Sequence, residues 1–415
     1  GMGGLLLIVG AIVIGPVLAG PSVTALGSPM PSFKGVTGTL AVQNAARSPK
    51  RTSATASALI IGVALVGFIT VFAASAKDSV ASEVERGFTG DFVIQSSASA
   101  FGPPSGFPGT VAESAARLDG VEVVVPLGFS RAEFRYPDGD RATQFLTSIE
   151  PTGLLQVLEP RMTVGTVTDL RDDGIIVDAE LADAHQVEIG DRITMTVPGG
   201  ASLDLAVQGI SDDRSLLGWF TVTRDAFKSV VPELLDVQVF GKVNEGANLD
   251  QVLVDLRAAT KDTPALEVLD RDGFIGDLAS QITSFVTVIY GLLILSIIIA
   301  LIGIANTLSL SINERTRELG LLRSVGMFRS QMRSMVRWEA VLISLLGTLV
   351  GLGLGMLVSW GLITSLGSQG LTTFSMPIGS LVMIAIGGGL MGTLASLLPA
   401  RRAARLAILD AIAHD

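Results

Sequence analysis

Four apolar runs, Ala54 to Ala76, Ser284 to Leu308, Ala340 to Ile363 and Ile378 to Leu398, reach the roughly 20 residues that a helix needs to cross a bilayer. Hydrocarbon offers the backbone no partner, so each run must close its own hydrogen bonds as a helix. A shorter run, Leu5 to Ala19, is flanked by glycines and interrupted by Pro16. It reads as a damaged span, an interfacial helix or the tail of a longer one, and with it the chain has about five spans. No positively charged segment precedes it and no clear small-residue cleavage site follows, which argues against a signal peptide.

Orientation follows from Lys and Arg, which concentrate in short cytoplasmic loops. Lys34, Arg47, Lys50 and Arg51 precede the span at 54–76; Arg315, Arg317, Arg323, Arg329, Arg333 and Arg337 lie between the next two; Arg401, Arg402 and Arg405 follow the last. These regions are expected in the cytoplasm, and Lys77 to Gln281 and the uncharged loop Thr364 to Met376 on the other side. The net charge of −10 therefore divides into an acidic external domain and a basic cytoplasmic rim, and the external acidity argues against a nucleic-acid partner. The expected organisation is a short apolar span and linker (1–31), a cytoplasmic segment (32–53), a span (54–76), an extracytoplasmic domain with stalks (77–283), a span (284–308), a cytoplasmic segment (309–339), spans at 340–363 and 378–398, and a cytoplasmic tail (399–415). Alternation places the amino terminus outside with no segment to send it there, which predicts missing upstream spans. Cysteine is absent, so disulfides and thiolate metal sites are excluded.

The external region is long enough for its own core. Strand-like pieces occur at Phe92 to Gln95, Val121 to Val125, Gly174 to Asp178, Arg192 to Val197, Leu203 to Val207 and Val237 to Phe240, with a hairpin turn at Pro198 to Ser202. Helical patches interrupt them at Thr110 to Leu118, Ala179 to His185 and Leu249 to Thr260. The fold class is thus an α-helical transmembrane protein with an inserted α+β extracytoplasmic domain of two lobes. The inner lobe is expected from 90–135 and 236–269, and the outer lobe, mostly strands, from 141–231. Lys77 to Arg86 and Asp272 to Gln281 keep helical spacing into the adjoining spans and read as stalks.

The search for chemistry excludes more than it finds. His185 and His414 are far apart and read as surface residues, and no phosphate-binding Gly-x-x-x-x-Gly-Lys-[Ser/Thr] occurs. Asp172-Asp173 and Asp212-Asp213 lack calcium-loop spacing. Gly351-Leu-Gly-Leu-Gly355 lies inside a span and reads as helix packing, and Asn306 as an interhelical or backbone hydrogen bond. No metal, cofactor or catalytic residue is expected.

The segment from Asn313 to Gly326 is the most distinctive. Glu314, Arg315, Arg317 and Glu318 open a short charged helix; Gly320 and Gly326 permit close packing or a bend; Arg323 lies between them. A second helix from Met327 would place Gln331 or Met332 with Met335 and Val336 on one face, and Arg329, Arg333 and Arg337 on another. From composition alone, these arginines either hold the topology against anionic lipid or meet a soluble partner.

Glu314-Arg-Thr-Arg-Glu-Leu-Gly-Leu-Leu-Arg-Ser-Val-Gly326, Arg337-Trp-Glu-Ala340 and Leu398-Pro-Ala-Arg-Arg-Ala-Ala-Arg-Leu406 resemble the signature of FtsX-like permeases of the MacB and Lol type, membrane subunits of type VII ABC transporters. The likeness extends over nearly the whole chain, and Leu40 to Arg51 resembles the amphipathic helix before the first span of a four-span unit. The run before Ser32 does not belong to such a unit and resembles the carboxy-terminal half of a long two-unit permease. Ile408 stands where many relatives have proline. The resemblance implies ATPase coupling through Glu314, Arg315, Arg317, Glu318, Gly320, Arg323 and Gly326. ATP and magnesium would be bound by partner ABC ATPase subunits, and the other partners would be the upstream half or a second permease copy, membrane lipid and an extracytoplasmic protein. Export or extraction of a drug, peptide, lipid or lipoprotein is the first implied function; an FtsX-type signalling subunit regulating a cell-wall hydrolase is the second. An enzyme is the third, and no nucleophile and base are placed for it.

The orientation predicts that a cysteine introduced at Ser202 reacts with an impermeant thiol reagent applied to intact spheroplasts while one at Ser324 does not. Labelling at Ser324 from outside would reverse the topology.

Overall fold

The computed structural model describes residues 2–96, 106–231, 234–261, 263, 265–367 and 370–405. Its helices are α1 Met2–Gly27, α2 Met30–Arg47, α3 Pro49–Gly87, α4 Thr110–Ala115, α5 Leu154–Val157, α6 Ala179–Ala184, α7 Arg214–Leu217, α8 Arg224–Lys228, α9 Leu249–Ala259, α10 Arg271–Glu314, α11 Thr316–Ser324, α12 Arg329–Ser365 and α13 Ile378–Arg405. The strands are β1 Phe92–Ser96, β2 Phe107–Pro108, β3 Val121–Arg135, β4 Arg141–Ile149, β5 Met162–Val164, β6 Gly174–Asp178, β7 Arg192–Thr196, β8 Ser202–Ser211, β9 Phe220–Thr223, β10 Leu235–Asp236, β11 Gln238–Val243 and β12 Leu266–Asp270. Two compact units result, one from described residues within 1–75, 285–364 and 374–415, the other within 76–284 and 365–373.

In the first unit, α3, α10, α12 and α13 are each long and apolar enough to cross a membrane. Gly347, Gly351 and Gly355 lie one turn apart on α12 and face α3. A Cβ on Gly351 would stand 2.8 Å from the Ile60 carbonyl oxygen, and one on Gly355 2.5 Å from that of Ala64. Small residues let two backbones approach where lipid supplies no hydrophobic drive. Gly353 points elsewhere, with nothing near its missing Cβ. On α13, Gly388 and Gly392 do the same against Thr348 and Ser344 of α12.

The amino-terminal run corrects one expectation. α1 continues through Pro16 and Pro21 to Gly27, rather than ending at a break near Ala19. A proline costs one backbone bond and a local clash, which a helix supported by neighbours tolerates. That support includes Ala19 and Val23, buried against Ala45 of α2 and Leu342 and Leu346 of α12. α2 itself kinks at Gly35, whose φ of 55° suits glycine.

In the second unit, a ten-stranded sheet runs β12-β1-β11-β3-β4-β9-β6-β8-β5, with β7 joined to β3 and β8. The proximal half of β3 pairs antiparallel with β11, in a four-stranded layer completed by β1 and β12. Phe92 and Ile94 face α4 and α9, while Val93 between them enters the core on the other face. The distal half of β3 pairs with β4 and β7, and the ladders β4–β9, β9–β6, β6–β8 and β8–β7 close a six-stranded barrel. Closure leaves these strands few free edges. Phe134 and Phe220, with ring centroids 3.7 Å apart, fill the barrel beside Ile193, Met195, Leu205 and Val207. The outer lobe therefore takes in 128–135, which the sequence reading gave to the inner lobe. β3 runs through Pro126 and Gly128 without a break, and Pro126 stands opposite Val239.

Hydrogen bonds settle several side chains. His185 stacks on Tyr136 at 3.7 Å and its Nδ1 lies 2.9 Å from Asp138 Oδ2, so it is a partly covered barrel residue rather than a free surface one. That hydrogen bond is the first cause holding the Asp138 carboxyl below its ordinary value. The adjacent aspartates separate: Asp172 accepts from Thr223 and Asp173 from Gln208, while Asp212 pairs with Arg161 and Asp213 with Arg86. Among the described residues no metal-ready group of three or more His, Asp or Glu is present. The hairpin at 198–202 forms as expected, with Gly199 and Gly200 at positive φ and Val197 donating its amide to Ala201. His414 and Ile408 lie outside the described residues.

Two stability predictions follow from these contacts. Gly351→Ile forces a branched chain onto the α3 backbone and should destabilise the membrane unit by about 1–3 kcal/mol, whereas Gly353→Ile should leave the melting temperature in detergent unchanged. The second concerns fully buried Asp236, paired with Arg224. Burial raises its carboxyl above the ordinary value, and the Arg224 hydrogen bond opposes that shift without cancelling it. Arg224→Ala should expose β3 and β9 amides to hydrogen exchange at a cost of roughly 3–5 kcal/mol. A carboxyl whose folded pKa lies above its unfolded one contributes stability that is full below the unfolded pKa and is lost as pH rises through the folded value. Losing the guanidinium raises the folded value further, so the defect of the variant should grow from acid to neutral pH.

Candidate functional site

The charged segment folds as a short helix between two long ones. α10 ends at Glu314, Arg315 leaves helical geometry with φ −104° and ψ 17°, and α11 begins at Thr316. The Thr316 hydroxyl donates to the Asn313 carbonyl at 2.7 Å. At its other end α11 closes with paired reverse bonds: Met327 N–H donates to Leu322 C=O at 3.0 Å and Gly326 N–H to Arg323 C=O at 3.2 Å. This Schellman arrangement requires a left-handed residue, which Gly326 supplies at φ 115°. Two residues on, the Gln331 side chain accepts the Phe328 amide at 2.9 Å, one half of a capping box at the start of α12. The turn is thus fully specified by local hydrogen bonds.

One side of α11 is buried. Leu319 joins Met332, Met335 and Val336 of α12, Ala41 of α2 and Ala400 and Ala403 of α13 in one cluster. This settles the helical face of α12: Met332 packs inward, Gln331 stays outside, and Arg329, Arg333 and Arg337 are exposed. It also brings the tail to the turn. Ala400 and Ala403 face the cluster while Arg401, Arg402 and Arg405 are exposed beside it.

The expected coupling residues divide accordingly. Glu314, Arg317, Glu318 and Gly326 are exposed, Arg323 is half-buried and Gly320 is buried beside Leu319. Arg315 turns inward, 16 % exposed, toward the 12 % exposed Glu339 at 3.9 Å, in a polar nook lined also by Asn44, Thr52, Thr55 and Ser311. Glu318 lies 3.7 Å from Arg315 and 3.9 Å from Arg47. At such lengths and exposures these surface pairs contribute little. Sequence reading missed the apolar part of this surface: Val325 is 88 % exposed and Phe328 71 % exposed, on either side of Gly326. The signal was present, since both flank a glycine turn where neither can pack inward.

The comparisons with known proteins agree with this layout. The family description "MacB-like periplasmic core domain" matches residues 52–259, half of the chain, and "FtsX-like permease C-terminal" matches 290–408, which includes the charged turn. The chain belongs to the FtsX-like permeases of MacB type. It is a multi-pass membrane protein with a large extracytoplasmic domain. A macrolide export ATP-binding/permease protein MacB of Nitrobacter winogradskyi is 24% identical over 88% of this chain and 58% of its own length. A probable syringafactin export ATP-binding/permease protein of Pseudomonas syringae pv. tomato is 35% identical over 29% of this chain and 18% of its own length. The chain thus spans 58% or less of these two relatives, whose names join an ATP-binding part to a permease. The solved periplasmic region of MacB from Actinobacillus actinomycetemcomitans is 12% identical, covering 48% of this chain and 97% of that one at a TM-score of 0.37.

Proposed function

We propose that this permease couples ATP hydrolysis, carried out by a separate ABC ATPase in the cytoplasm, to export or extraction of an amphipathic substrate on the extracytoplasmic side. The observation that carries the reading is the protruding turn after α11. It is rigid by its own hydrogen bonds, held on a buried cluster, and exposes Val325 and Phe328 among Arg317, Glu318 and Arg329. Exposed aromatic and apolar groups ringed by charge are what a protein interface uses as anchors. Lipid contact alone would call for basic residues and would not need a stiff apolar knob. Motion delivered here would enter α10 and α12 directly, because the turn joins them. α3 and α10 each run without interruption from a span into the extracytoplasmic domain, which supports their reading as stalks.

A second permease copy, or the upstream half of a longer chain, is proposed as the neighbour of α10. Val288, Leu292, Leu295, Ile299 and Ile302 recur in steps of three and four along its exposed face, and exposed Asn306 continues the stripe. That spacing is the seam of a left-handed helix pair, and a single polar residue in such a seam sets register. Only 11% of the most apolar window of α10 is buried within the chain, against 56% for α3 and for α12, which leaves a face for a partner.

Val325→Asp and Phe328→Asp should each reduce co-purification of the ATPase at least about tenfold, a loss of roughly 1.4 kcal/mol at the interface, with permease levels in the membrane unchanged. Undiminished co-purification, with loss instead on replacing Arg329, Arg333 and Arg337 by alanine, would return the turn to a lipid-anchoring role.

A further inference from the structure

The extracytoplasmic unit contains a cavity of about 330 Å³ beside the stalk helices. Phe88 at the end of α3, Phe240 on β11 and Phe274 on α10 form its aromatic wall, with centroids 5.3 to 6.2 Å apart in edge-to-face contacts. Leu127 of β3, Leu216 of α7 and Leu371 also line it. Leu371 belongs to the loop between α12 and α13, which is held along α3 by serine hydroxyls. The buried Ser79 Oγ accepts the Thr373 amide at 3.0 Å, and Ser82 Oγ lies 3.5 Å from Thr373 Oγ1.

One edge of the cavity is polar. Glu83 lines it and receives Arg86 at 2.5 Å, and Arg86 also holds the fully buried Asp213 at 2.8 Å. Asp213 accepts the Arg161 amide at 3.1 Å and the Ser215 hydroxyl at 2.8 Å, and the half-exposed Arg161 guanidinium is 3.8 Å from Glu83. Arg86 and Arg161 stand against Glu83 and Asp213, while the buried Arg86 Nε has no hydrogen-bond partner among the described residues, so this rim is where a polar group can be received.

Along the helices this cavity begins where the apolar runs stop. Val80, which lines it, is four residues past Ala76, the end of the apolar run of α3, and Leu278, also lining it, is six residues before Ser284, where that of α10 starts.

We propose that the cavity binds a single acyl or alkyl chain of an amphiphile, with the polar head at the Glu83–Arg86–Arg161 edge. The volume is at the low end of the roughly 300–1,000 Å³ of ligand pockets. A pocket of that size suits one chain rather than two. Its apolar wall cannot satisfy a peptide backbone, and its charged edge matches a head that stays at the water boundary. The proposal rests on the amphipathic-substrate reading above and assigns it a place within the extracytoplasmic unit.

The test uses the full chain in phospholipid nanodiscs and a dodecanoyl lysophosphatidylcholine carrying a diazirine at the chain terminus. Photolysis should attach the probe saturably to peptides containing Phe88, Phe240, Phe274 or Leu371, and unlabelled dodecanoyl lysophosphatidylcholine should displace it. Leu216→Trp, which fills the cavity, and Phe129→Asp, which places a charge on its more exposed wall, should each lower that labelling at least tenfold with unchanged melting temperature. Adducts confined to the spans, or labelling of the cavity peptides that neither variant lowers, would overturn the proposal. If labelling fails while Val325→Asp and Phe328→Asp still release the ATPase, the cavity assignment falls and the permease reading stands.

Discussion

The membrane unit depends on the backbone approach of α12 to α3. Lipid tails are as apolar as leucine, so helix association in a bilayer rests on fit and on satisfied polar groups rather than on expelled water. Gly347, Gly351 and Gly355 bring α12 to within contact of the Ala56, Ile60 and Ala64 carbonyls, and on another face Ser344 and Thr348 receive Gly392 and Gly388 of α13. The two hydroxyls are satisfied within α12, by the carbonyls of Val341 and Ser344. α12 is therefore the common wall of the unit.

In the extracytoplasmic unit, β3 has a comparable role. Because one strand supplies an edge to the inner sheet and a stave to the barrel, the lobes share a hydrogen-bonded ladder instead of a linker. Residues on its two halves alternate toward different cores: Val125 and Leu127 toward the cluster that also contains Phe88 and Phe274, Ala132 and Phe134 into the barrel. A displacement of the stalk residues Phe88 or Phe274 would thus meet the strand that continues into the outer lobe.

Much of this was legible in sequence because it is local. Apolar runs and the Pro198–Ser202 turn are each written within a few residues of where they act. The helix stop at Gly326 was legible for the same reason. What escaped is set by partners far along the chain. β4, with Arg141, Thr143 and Gln144 near its start, has too little alternation to stand out alone and exists by pairing with β3 and β9. Barrel closure joins strands as far apart in sequence as Leu146 and Phe220, and no periodicity reports it. Arg315 was read as one of a row of docking charges, since nothing nearby reveals that Glu339, on the next helix, faces it. The cavity draws its wall from α3, β3, α7, β11, α10 and the 370–373 loop, so no single segment carries its signature.

The Arg315–Glu339 pair shows what the charged turn requires. Two ions largely withdrawn from water at the edge of a bilayer contribute little net stability, since desolvation opposes their attraction. Their position is informative all the same: Arg315 is the residue at which α10 gives way to α11, and Glu339 lies on α12 just after Trp338 of the cytoplasmic cluster. An ion pair at that point opposes a rotation of α12 that would separate the two, while Arg315 keeps Glu318 of α11 at 3.7 Å. The Schellman bonds at Gly326 close the other end of α11 locally. On the coupling proposed above, a displacement applied to Val325 or Phe328 would be carried into α10 and α12 as movement of the helices.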